Sequence, residues 1–292
     1  MRYEVHVSRW ERDAFSIIRE HAVNAEELLR VHVMGGSGTL SEAVSAIVNL
    51  PNIQIAAYPF GNENTTIRYF GTDKMHLFTS IRSQVLSSTT PFDAIRCGHR
   101  YGISHGIVGF EATAGREGMV IYENSSLLSQ DAAHFLAAAK KLFRKQIFAQ
   151  EYKINLDGNQ LDGTYASVLI ANGPCYAKNM TPAVDAHPND GLFDVYIMKR
   201  ISRLTFLSIA RKYLSGNYKK IPEIISHHRG TKISISSDSI MTMIVDDKPF
   251  YEKEAEFEIL PYAVDFVCPG GIDVAKLPRI FGKAGQGAVL ND

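Results

Sequence analysis

Met34-Gly35-Gly36-Ser37-Gly38-Thr39 follows an apolar stretch that alternates through Val31 and Val33, and a helix-patterned run comes after it. A strand, a glycine loop and a helix start in that order make a phosphate cradle. The glycines let backbone N–H groups approach an anion, and the first amides of the helix are free to bind it. Phosphoryl transfer would want a carboxylate at the third loop position, which here is Ser37. Taken alone, the loop is equally well a tight strand-to-helix turn. It has company, however, in Pro59-Phe60-Gly61-Asn62-Glu63-Asn64, Asn172-Gly173-Pro174, Asn189-Asp190-Gly191-Leu192-Phe193-Asp194 and Val245-Asp246-Asp247-Lys248-Pro249.

The surrounding patterns supply elements to position these loops. Tyr3, Val5 and Val7 alternate with polar residues and predict a strand over Tyr3–Ser8. Ser8 and Glu11 have capping-box spacing, which predicts a helix running through Leu29. Further strands are expected at Arg30–Met34 and Asn52–Tyr58, with a helix over about Leu40–Val48 between them. Strand–helix alternation implies a parallel sheet, and both glycine loops leave its carboxyl end, where ligands bind. After Pro91 the pattern changes. Short strands are expected at Phe92–Cys97, Arg100–Gly109, Tyr165–Ala171, Phe193–Met198, Lys232–Ser236, Ile240–Val245, Glu256–Leu260 and Val264–Cys268, with a hairpin turn at Asp157-Gly158-Asn159. One amphipathic helix is expected over Gln130–Phe148, with Lys140, Lys141, Arg144 and Lys145 on its solvated face.

The chain has 292 residues, 45% of them hydrophobic, and equal counts of 31 basic and 31 acidic side chains. With no net field, nucleic acid is not an expected partner. Cys97, Cys175 and Cys268 match no zinc or redox spacing and read as small buried apolar residues. With no signal peptide pattern at Met1–Ser8 and no apolar run of bilayer length, a cytoplasmic chain is expected, with peripheral membrane contact left open. His227-His228-Arg229 reads as a loop cluster, and Met241 and Met243 as core.

The ordered loops resemble the diacylglycerol kinase catalytic-domain family, which includes bacterial lipid kinases and sphingosine kinases. Its motifs Gly-Gly-Asp-Gly-Thr, Pro-x-Gly-Thr-x-Asn-Asp, Asp-Gly-x-x-Asp and Asp-Gly-Glu stand here as residues 35–39, 59–65, 190–194 and 246–248. The resemblance implies an NAD kinase/diacylglycerol kinase-like two-domain fold. A nucleotide-binding α/β domain (1–90 with about 271–292) precedes an antiparallel β-rich domain (91–270). It further implies ATP with magnesium in the cleft and transfer of the γ-phosphate to a lipid hydroxyl. On this basis Ser8, Gly35, Gly36, Ser37, Gly38, Thr39, Gly61 and Asn62 fall at nucleotide-binding positions. Asp190, with the carbonyls of His187 and Leu192, falls at a structural magnesium site. Asp246, Lys248 and Glu111 fall at catalytic positions. For Ser8 the helix cap is the preferred reading; for Asp190 a plain turn weighs equally.

The departures concern charge. By the resemblance, Tyr3–Ser8 matches the family's second strand and its first strand and Asn-Pro-x-Ser-Gly loop have no counterpart in the 292 residues, so either the true start lies upstream or the sheet has lost a strand. Ser37 replaces an aspartate, Asn62 a threonine, Thr65 an aspartate and Lys248 the glutamate base. A protonated lysine cannot accept the hydroxyl proton. The leading expectation is a lipid kinase-like protein whose phosphotransfer is weak or lost. An active kinase with relocated carboxylates, or a non-catalytic assembly subunit, are the alternatives. The sequence names neither the lipid nor the oligomeric state.

Overall fold

The computed structural model describes residues 3–61, 64–112, 149–176, 180–246, 248–272 and 274. The helix expected over Gln130–Phe148, and Asn62, Glu63 and Asp247, lie outside the described residues.

The first half alternates α1 (Asp13–Val23), β1 (Leu29–Gly35), α2 (Ser37–Ile47), β2 (Ile53–Pro59), α3 (Thr65–Arg68) and α4 (Ile81–Leu86). Strands β1 and β2 are parallel, with Val33 opposite Ala57. The second half holds β3 (Thr89–Cys97), β4 (Arg100–Gly102), β5 (His105–Gly109), β6 (Gln150–Leu156), β7 (Asn159–Gln160), β8 (Gly163–Ala171) and β9 (Phe193–Lys199). After these come α5 (Arg203–Leu214), β10 (Ile225–Gly230), β11 (Lys232–Val245) and β12 (Lys248–Val267). Apart from the short parallel β12–β2 pairing, Asp265 with Gln54 and Phe266 with Ile55, its ladders are antiparallel. The Asp157-Gly158 turn closes the β6–β7 hairpin with φ of 48° and 90°, the mirror-image turn geometry expected of that dipeptide.

Two long strands tie the halves together. The end of β12 pairs with both β2 and the start of β3, while its beginning pairs with β11. Sequence reasoning splits β12 at Pro261-Tyr262-Ala263. The structure instead has one strand with a bulge, Tyr262 taking φ 54° and the register shifting between Leu260 and Val264. The α/β core packs Val44, Ile55, Phe70 and Phe92 with Phe266, whose ring stacks on Phe92 at 4.8 Å. A second core in the β-rich half includes Met241 and Met243, both fully buried, as their strand spacing implies. All three cysteines are buried and free, and burial pushes the Cys97 and Cys175 thiols up to about 12.

Four expectations need correction. Tyr3–Ser8 forms no strand: Tyr3, Val5 and Val7 are 85%, 79% and 77% exposed, because alternation supplies a pattern but no neighbouring strand to pair with. Ser8 is not a helix cap. Arg12 adopts left-handed φ 65°, which breaks the helical path, so α1 begins at Asp13, whose carboxylate accepts Arg9 N–H at 2.8 Å. The helix stops at Val23 rather than Leu29, with Asn24 Nδ2 donating to the Glu20 carbonyl. Finally, His227-His228-Arg229 is not a loop but part of β10, paired with β9.

Candidate functional site

Gly36 is the N-cap residue of α2, in extended conformation with no side-chain cap, and Ser37 is the first helical residue. By position, the N–H groups of Ser37, Gly38 and Thr39 have no intrahelical acceptor. The second loop lies against this helix start. A Cβ on Gly61 would overlap Gly36 Cα, so only glycine permits the approach. Asn64, itself left-handed at φ 47°, clamps Gly61 by accepting its N–H at 3.2 Å and donating to its carbonyl at 2.5 Å. Gly35, Gly36, Ser37, Tyr58, Asn64 and Thr66 line a small pocket where the loops meet. Ser37 Oγ is buried without a hydrogen-bond partner. An unmet hydroxyl beside free helix amides suits an anion bearing acceptor oxygens.

A third motif joins this pair through Ser104. Its hydroxyl meets Thr66 at 2.9 Å and Thr65 at 3.4 Å. The Ile103, Ser104 and His105 N–H groups donate to the Asp246 carboxylate at 3.0, 3.1 and 3.0 Å. Gly102 is required here, since a Cβ would press on that carboxylate at 2.8 Å. Asp246 sits in the β11–β12 hairpin turn at φ 50° and is buried. Three of its acceptor sites are thus taken by the backbone. Lys248, at the expected base position, bonds Glu42 Oε1 of α2 at 2.9 Å and lies 3.6 Å from Glu11.

The remaining candidates have separate partners. Asp190 is held by an Arg229 ion pair and accepts the Leu192 N–H at 3.2 Å, so a guanidinium occupies the expected metal-binding carboxylate. His187 Nε2 lies 3.1 Å from the Val274 carbonyl. Glu111, directly after β5, is buried and accepts Tyr213 Oη at 3.1 Å; burial pushes its carboxyl up to about 7. Ser8 is exposed, outside α1.

Sequence reasoning passed over Asp93. This fully buried carboxylate accepts Gly191 N–H and Tyr262 N–H, each at 2.8 Å, locking the Asp190–Gly191 turn to the β12 bulge. Burial raises its pKa against the pull of those two amides. An acid inside the apolar run Phe92–Ile95 was the available signal. Asn172 completes the set, donating to the Asp93 and Ile103 carbonyls at 2.9 and 3.0 Å. Glu42 carries no local signal, since its partners come from distant parts of the chain.

An α/β layer with facing glycine loops, followed by an antiparallel β-rich region, defines an NAD kinase/diacylglycerol kinase-like fold. Residues 1–97 match the diacylglycerol kinase catalytic domain, and residues 107–268, more than half of the chain, match the YegS C-terminal NAD kinase beta sandwich-like domain. The chain therefore belongs to the diacylglycerol kinase catalytic-domain family and is lipid kinase-like. Provisionally named lipid kinases of Staphylococcus aureus, from strains bovine RF122 / ET3-1 and Mu3, are 22% identical over 244 residues, covering 83% of this chain and 78% of theirs. A provisionally named diacylglycerol kinase from Bacillus anthracis strain Sterne superposes with TM-score 0.68 at 17% identity, over 90% of this chain and 85% of its own. A further diacylglycerol kinase structure from that strain gives 0.66 at 16% identity, covering 91% and 84%. At such identities the structures speak to the fold alone. No helix among the described residues is long and apolar enough to cross a membrane.

Proposed function

We propose that this protein binds an adenine nucleotide such as ATP at the paired glycine loops, with weak or no phosphoryl transfer to lipid. In this reading 1–90 with 271–292 carry the nucleotide half and 91–270 the β-rich half. The observation that carries the proposal is the state of the three charged positions. Asp246 is held by three backbone donors, Lys248 is an ion-paired cation, and Asp190 is paired with Arg229. Ser37, Gly38 and Thr39 of α2, with Gly61 opposite, would hold phosphate oxygens, and Ser37 Oγ would gain the partner it lacks.

Magnesium fits this set poorly. A hard divalent ion needs several oxygen ligands, and carboxylates supply most of the attraction. Ser37 brings no charge, and among the described motif carboxylates Asp246 and Asp190 already have partners. Calorimetry with ATP and ADP tests the reading: binding that changes little when magnesium is removed is expected, and no binding by the intact chain would overturn it.

A second reading, an active lipid kinase with relocated carboxylates, draws on Glu111. A buried carboxyl poised near 7 is suited to proton transfer. Its partner is Tyr213, not a glycine-loop residue. Under this reading Glu111→Gln abolishes lipid phosphorylation; unchanged turnover removes it.

A further inference from the structure

Glu4, His6 and His21 lie apart from every motif described above. Each offers one ligand atom, and the three atoms are within 4.8 Å of one another. Glu4 Oε2 is 3.4 Å from His6 Nε2 and 3.9 Å from His21 Nε2, and the two imidazole centroids are 5.0 Å apart. Zinc bonds histidine nitrogen and carboxylate oxygen at about 2.0–2.2 Å, which sets tetrahedral ligand atoms roughly 3.4 Å apart. The two Glu4 separations come within about 0.5 Å of that spacing, and the two imidazoles, whose ligand atoms lie within 4.8 Å of each other, must draw together to complete it. Two imidazoles and one carboxylate are a recognised first-row metal donor set that leaves a coordination position for water.

The setting favours a cation as well. His21 lies in the last turn of α1, where the carbonyl ends of the helix carry partial negative charge. Tyr3–Ser8 joins no strand ladder, and the Glu4–His6–His21 cluster is where it meets α1. We propose that Glu4, His6 and His21 form a surface site for a divalent transition-metal ion of the zinc type, stapling the Tyr3–Ser8 segment to the end of α1. The site shares no residue with the glycine loops or with Asp190, Asp246, Lys248 and Glu111.

The test uses the untagged full chain, freed of metal with a chelator. It is titrated with Co2+, followed by visible absorption, and with Zn2+ in competition with a chromophoric indicator. One equivalent is expected, with the Co2+ band displaced by Zn2+. His6→Ala and His21→Ala should each weaken binding at least tenfold, since a first ligand is lost, and Glu4→Gln should weaken it measurably. His76→Ala, an exposed histidine whose Nδ1 already meets the Asp73 carbonyl, should leave it unchanged. Zn2+ should also slow amide exchange over residues 3–9 in the wild type, and not in His21→Ala. The absence of stoichiometric binding, or wild-type affinity in both histidine variants, overturns the proposal; a plain His–Glu ion-pair cluster gives that result.

Discussion

Lys248 Nζ lies 2.9 Å from Glu42 Oε1, and the same oxygen accepts the Arg12 N–H at 2.9 Å. One carboxylate thus joins the β11–β12 hairpin tip to α2 and to the start of α1. The lysine occupies the position that the resemblance assigns to a base, and it serves there as a structural cation. Lys248→Met and Glu42→Gln, alone and combined, should give a coupling energy of about 0.5–1 kcal/mol in urea denaturation, the range for a partly exposed pair. Strict additivity would mean that the contact contributes nothing.

Asp246 should behave as a structural residue. Asp246→Ala leaves three buried N–H groups without an acceptor, at a cost of about 3–5 kcal/mol, read as a lower denaturation midpoint. A purely catalytic aspartate could be removed with the midpoint unchanged.

Glu111 gives a pH signature. Its folded pKa, about 7, lies above its ordinary value of 4.5. Between these two values the unfolded chain has released the proton while the folded chain still holds it. Stability therefore falls as pH rises through this window and levels off above it. The drop is on the order of 3 kcal/mol by the conversion of pKa shift to free energy. Glu111→Gln should flatten the profile; a wild-type slope in that variant would place the titration elsewhere.

The glycine loops make opposite predictions for two small changes. Gly61→Ala drives a methyl into Gly36 and should cost more than about 2 kcal/mol, with nucleotide binding lost. Ser37→Ala removes an unpartnered hydroxyl, so stability should hold or rise slightly while ATP affinity falls several-fold in calorimetry. An unchanged affinity would remove Ser37 from the phosphate site.

The parallel strands, the glycine-loop helix and most antiparallel strands are legible because their periodicity and punctuation are local. Tyr3–Ser8 misleads for the complementary reason: its alternation is strand-like, but pairing depends on a neighbour. The site's glycines are equally readable, since φ and close approach leave few alternatives. Its charge state is not. Whether Asp246, Asp190 and Lys248 are available for chemistry depends on Ser104, Arg229 and Glu42, which the fold brings in from far along the chain. Asp93 lies between these cases, a charged residue in an apolar run whose purpose shows only at the β12 bulge.

In the proposed function the nucleotide cradle persists while the phosphotransfer chemistry is weak or gone. Incubation of the purified chain with γ-labelled ATP, magnesium and vesicles of mixed lipids containing diacylglycerol measures it directly. Lipid-bound label at, or barely above, the level of a no-protein control is expected. Transfer well above that control, lost in Glu111→Gln, would contradict the proposed function.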